Sequence, residues 1–127
     1  MKLISCIFLF LCLSVQAQDC NKYKTGIFEI DNLDGTVSVI KRTKKFQIET
    51  CGRIKTKDKV VWLSDCSYSL IPVNIKDKSG LIGDDVLTFT FIETFDHSYV
   101  VEITGLGDMI IPAQVFEKGY LGQIEEK

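Results

Sequence analysis

Histidine and tryptophan occur once each in this chain of 127 residues, and proline and methionine twice each. A Ser-His-Asp or Cys-His catalytic site would have to use the one histidine, His97. That residue stands beside Asp96 between two strand-like runs, where a polar turn is the simpler reading. There is no CxxC pair and no HxxxH pair, so a specific zinc site is not expected. Asp31-Asn32-Leu33-Asp34-Gly35 lacks the ligand spacing and the closing Glu of a calcium loop. Gly105-Leu106-Gly107 is followed by no third glycine and no P-loop lysine. The Asp84-Asp85 pair lies in a loop, and nothing in the sequence makes it converge on a substrate. No catalytic residue, cofactor or metal ligand is therefore expected, and the reading is that the protein is not an enzyme. A hydrolase using His97 or Cys51 is the weakest alternative.

Long apolar runs are also missing. The longest, residues 3–15, falls short of the roughly 20 residues needed to span a bilayer as a helix. It follows Met1-Lys2 and precedes Gln16-Ala17-Gln18. A basic start, a short apolar stretch and a small residue form the secretory pattern, with the cut expected after Ala17. Cys20 is preceded by Gln18-Asp19 and not by a small-residue box, so lipoprotein acylation is not expected. Residues 18–127 then form a single domain, periplasmic or extracellular. Losing Lys2 leaves 14 basic against 17 acidic residues, a net charge of −3.

Within 18–127 alanine appears once, at Ala113, whereas 31 of the 110 residues are Val, Ile or Thr. That balance disfavours helix and suits a pleated surface. Period-2 alternation recurs along most of the chain. Strands are expected at 24–30 (Phe28 and Ile30 on one face), 36–42, 45–50, 59–64, 66–71, 86–94, 98–104 and 109–117. Asp34-Gly35 signals a hairpin turn. In 45–50, Phe46 and Ile48 are expected inward and Gln47 and Glu49 outward. Residues 53–58 read as a polar turn. The run 59–64 alternates little and is expected to be covered on both faces. Cys66, Tyr68 and Leu70 share a face, as do Leu87, Phe89 and Phe91, and Tyr99, Val101 and Ile103. Residues 76–80 read as a loop and 81–84 as one helical turn. Pro112 argues for a sheet edge or a bulge. The expected fold is all-β: an antiparallel meander of seven or eight strands, forming a small barrel or a two-sheet sandwich.

Charge is unevenly spread. Lys41, Arg42, Lys44, Lys45, Arg53, Lys55, Lys57 and Lys59 face only Glu49 and Asp58 within residues 41–59, a net +6. Residues 84–127 carry a net −7. The basic segment is a candidate surface for an anionic envelope or extracellular partner; the competing reading is a solvated face whose lysines block edge pairing. Nucleic acid is not expected, because the chain is acidic overall and no basic-aromatic motif accompanies the lysines. Trp62 and Tyr68 are candidate pocket aromatics, although aromatics on strands more often belong to a core.

Of five cysteines, Cys6 and Cys12 leave with the signal, which leaves Cys20, Cys51 and Cys66 for one bridge and one remaining thiol. Cys20–Cys66 ties down the new N-terminus and closes a long loop, and is the first choice. Cys51–Cys66 is the second.

The stretches CNKYKTGIFE (20–29) and VWLSDCSYSL (61–70), with Asn74 after them, resemble a family of short exported proteins of Bacteroidetes and flavobacteria. That pattern has a Cys a few residues before Lys-Thr-Gly-x-Phe, then a Trp followed by Asp-Cys-x-Tyr. The resemblance also covers 87–105 and Val115-Phe116, and it favours the Cys20–Cys66 bridge. It implies no activity. Some members carry a DNA topoisomerase IV label, which a short exported chain without a DNA-gate domain does not fit. Separately, Thr25-Gly26-Ile27-Phe28 resembles the opening of lipocalin-like barrels, with Phe28 where their Trp stands. The function expected is therefore a non-catalytic binding module, with a calycin-like carrier of a small apolar ligand as the alternative.

Overall fold

The structure, a computed structural model, describes residues 19–73 and 85–123. The expected signal segment, the 76–80 loop and the 81–84 turn lie outside the described residues. A 3-10 helix, Cys20–Tyr23, leads into eight antiparallel strands: β1 (Gly26–Asp31), β2 (Val37–Arg42), β3 (Phe46–Cys51), β4 (Ile54–Ser64), β5 (Ser67–Pro72), β6 (Leu87–Thr94), β7 (Ser98–Gly105) and β8 (Gly107–Glu117). Each strand pairs with the next, and β8 returns to β1, so the meander closes into a barrel. Closure gives every strand a partner on both sides, although β1 and β8 meet over only part of their length. The closing seam is short, Phe28 opposite Glu117 and Glu29 opposite Phe116. Pro112 lies on β8 beyond that seam, where no neighbour asks for its missing N–H.

The up-and-down order places the turns at two ends. The β2–β3, β4–β5 and β6–β7 turns gather at one end with the 3-10 helix. The β1–β2, β3–β4 and β7–β8 turns gather at the other. In the β1–β2 turn, Leu33 and Gly35 take positive φ (67° and 91°), while Asp34 accepts from the backbone N–H and hydroxyl of Thr36. Those same contacts, the hydroxyl first, hold the Asp34 carboxyl below its ordinary range. At the β7–β8 turn Gly105 has φ 119°, and a Cβ there would meet the Val86 carbonyl oxygen at 2.4 Å. Only glycine fits.

The first end is solidly filled. Tyr23, Phe28, Tyr68, Phe91, Tyr99, Val101 and Val115 are buried, with Tyr23 and Tyr99 wholly so. Their rings interlock: Phe91 stacks on Tyr99 at 4.5 Å and Phe28 meets Tyr99 edge-on at 5.7 Å. Such pairs add about 0.5–1.5 kcal/mol each beyond the area they bury. The Cys20–Cys66 disulfide pins the 3-10 helix across this end, joining it to the β4–β5 turn. Cys51 is the free cysteine, half-buried.

Three local expectations are corrected. Residues 54–58 are strand, not turn; the turn is Gly52-Arg53, with Gly52 at φ 61°. The 59–64 run is not covered on both faces, since Leu63 is 59% exposed. The phase of β3 is opposite to the one expected: Gln47 is buried and Glu49 half-buried inside, whereas Phe46 looks outward. The reason is Arg42, which occupies the core and draws Gln47 in beside it.

Candidate functional site

Arg42 is 2% exposed. Its Nε donates to Gln47 Oε1 at 2.8 Å, Nη1 to the Tyr23 carbonyl at 2.8 Å and Nη2 to the Tyr99 hydroxyl at 2.7 Å. The guanidinium lies 4.8 Å from the Phe28 ring centroid and 4.7 Å from that of Tyr68. None of the three acceptors is a carboxylate. Aromatic faces and dipoles therefore carry the charge, and a desolvated cation–π contact is worth about 2 kcal/mol. Burial, then Tyr99, keeps the Tyr68 hydroxyl well above the ordinary phenol range, so it stays neutral beside the cation. Arg42 was expected on the basic surface; it is instead the centre of the barrel's plug.

Beyond this plug the inward positions change character. Ile30, Glu49, Thr56, Asp58, Leu87, Phe89, Ile103 and Ile111 lie on the inner face and are each only half-buried. Their inward phase follows from register. Gln47 opposes Asp58, Glu49 opposes Thr56, Phe89 opposes Ile103, and Ile103 opposes Ile111. The interior is two-sided here. Strands β6 to β8 supply Leu87, Phe89, Ile103 and Ile111, while β3 and β4 supply Glu49, Thr56 and Asp58. Partial burial, and then the neighbouring Glu49 charge, hold the Asp58 carboxyl above its ordinary range. Cys51, next inward after Glu49, lies 3.6 Å from Asn32 Nδ2, which also donates to Ser38 Oγ at 2.9 Å.

The two aromatics singled out from the sequence belong to the filled end. Tyr68 is 1% exposed and stacks on Phe89 at 5.1 Å; Trp62 is half-buried, with Lys24 Nζ 5.0 Å over its ring. Phe89 is the aromatic that reaches the half-exposed interior, and the alternation in 87–91 already marked it as inward. His97 stacks on Tyr120 at 3.8 Å, its Nδ1 3.6 Å from Glu117 Oε2. This is a turn packed at the filled end, far from Cys51 at the other. Among the described residues no group of three or more His, Cys, Asp or Glu side chains is placed to hold a metal.

The basic segment is sharpened by its phase. Lys41, Lys44, Lys45, Arg53, Lys55, Lys57 and Lys59 are exposed, while Glu49 and Asp58 turn inward. Seven of the eight cations expected at the surface are there, and both acids of the segment are not. The described residues also include a groove of about 390 Å³ beside the short seam, between Ile30, Asp31 and Leu33 and the Pro112–Phe116 stretch. No helix of the described residues is long and apolar enough to cross a membrane.

Comparison with protein-family models, with curated proteins and with solved structures finds no match to this chain.

Proposed function

We propose that the chain is an exported, non-catalytic binding protein that takes a small, largely apolar ligand into the half-exposed end of its barrel. The observation that carries this reading is the contrast along the interior. Most inward side chains around Arg42 are fully buried, whereas Ile30, Glu49, Thr56, Asp58, Leu87, Phe89, Ile103 and Ile111 are only half-buried, with Ser38 and Leu70 the buried exceptions beside them. An eight-stranded barrel is at the size where side chains either fill the interior or leave room for one small ligand.

The chemistry of the walls narrows the choice. Leu87, Phe89, Ile103 and Ile111 suit an apolar body, and Glu49, Thr56 and Asp58 suit one polar or basic end opposite. The Cys20–Cys66 bridge supports an oxidising, exported setting. Native mass spectrometry of the protein purified from its own cells tests the reading. A stoichiometric small-molecule adduct, released on unfolding, is expected. A bare mass, together with no uptake of apolar probes, would refute it.

A further inference from the structure

We infer that the outer face of β2, β3 and β4 is a docking surface for an anionic lipid membrane. The register builds it. Lys41 lies beside Ile48, Ile48 beside Lys57, and Phe46 beside Lys59; Val39 lies beside Thr50, and Thr50 beside Lys55. Apolar or hydroxyl side chains on β3 are therefore flanked by cations, three of them, Lys55, Lys57 and Lys59, in a row along β4. Phe46 is 37% exposed, and Lys57 Nζ sits 4.5 Å over its ring.

No outward position on these three strands is a carboxylate, because the segment's two acids face the barrel interior. Among the described residues, none of these lysines forms an ion pair; the pairs present involve Lys22, Lys24 and His97. The opposite side of the barrel carries exposed Asp85, Glu102 and Asp108. The resulting charge dipole turns the basic face toward a negative surface.

The interleaved apolar groups select the kind of anionic partner. An acidic polysaccharide offers sulfates or carboxylates and nothing for Phe46 and Ile48 to enter. A lipid interface offers both a layer of headgroup charge and an acyl boundary beneath it. The long lysine stems bend back along the face to keep their ammonium groups among the headgroups, while Phe46 and Ile48 between them enter that boundary. The surface stands apart from the barrel interior, so it holds or fails independently of the ligand proposed for that interior.

The test is sedimentation with vesicles of phosphatidylcholine alone and of phosphatidylcholine mixed with phosphatidylglycerol, at low and at high salt. The wild type is expected to bind only the mixed vesicles and to release them at high salt. Each lysine near the surface contributes roughly a fivefold factor, so combining Lys55→Gln, Lys57→Gln and Lys59→Gln should weaken binding about a hundredfold. Lys41→Glu alone should also weaken it, which keeps the test open if the triple variant folds poorly. Glu102→Gln, on the far side, should leave binding unweakened. Equal binding to both vesicle types, binding indifferent to the lysine substitutions, or retention on immobilised heparin with no vesicle binding would each overturn the inference.

Discussion

The Arg42 guanidinium on β2 donates from Nη2 to the Tyr99 hydroxyl on β7 at 2.7 Å, reaching across the barrel interior. One buried cation thus links the 3-10 helix, through the Tyr23 carbonyl, to two strands that are not neighbours in the sheet. Its removal strands three acceptors in a buried site. Arg42→Ala should cost about 3–5 kcal/mol, from the cavity it opens and the buried acceptors it leaves unsatisfied. Arg42→Met, which refills the space, should cost less. Urea unfolding of both variants measures the difference. Equal losses would mean that the hydrogen-bond network, not the filled volume, holds this end together.

The disulfide has a separate, chain-entropy role. Cys20 and Cys66 are 46 residues apart. Closing a loop of that length stabilises by about 4 kcal/mol at 25 °C in the loop-entropy model. A Cys20→Ser, Cys66→Ser double variant should lose that order of stability in urea. Non-reducing peptide mapping should recover the 20–66 link with Cys51 alkylated. A fragment linking Cys51 would contradict the pairing.

Asp58 should make stability depend on pH in the less usual direction. Its carboxyl is held above the ordinary value of 3.8 in the folded state, chiefly by burial and then by Glu49. Between 3.8 and that raised value the folded protein binds more protons than the unfolded chain. Asp58 therefore favours the fold below that window, and its contribution is lost as pH rises through it. Asp58→Asn should raise the melting temperature at pH 7 and reduce the pH dependence within that window. A lower melting temperature at pH 7 would show that the carboxylate makes favourable contacts instead.

Gly105 tests the turn that shapes the half-exposed end. Gly105→Ala places a methyl group against the Val86 carbonyl oxygen in a backbone region that L-residues avoid. A loss on the order of 2 kcal/mol is expected. Gly35→Ala, where positive φ is needed but nothing lies within 4 Å, should cost less. Thermal unfolding of the two variants compares them directly.

Much of the strand order was legible because β5 to β8 bury the residues that look apolar. Tyr68 and Leu70, Phe89 and Phe91, and Tyr99 and Val101 alternate as a half-buried sheet should. Strands β2 to β4 defeat the same rule. Inside them stand Ser38, Arg42, Gln47, Glu49 and Asp58, and outside stand Val39 and Phe46. Apolar phase misassigns the faces wherever a polar side chain is pulled inward by a buried charge. One signal does mark the phase: Lys55, Lys57 and Lys59 recur at period 2, and three cations on one strand face belong in solvent. That places Asp58 inside and, through the register, Gln47 with it. The half-exposed interior was not legible, because it depends on closure of the barrel and not on any motif.

A fluorescence titration with a neutral naphthyl probe tests whether the half-exposed interior takes a ligand. The wild type is predicted to bind the probe saturably, one per chain, while Thr56→Trp, which fills the chamber from its polar wall, should abolish binding at an unchanged melting temperature. No saturable binding by the wild type, or equal binding by a well-folded Thr56→Trp variant, would mean that the interior is not a binding chamber.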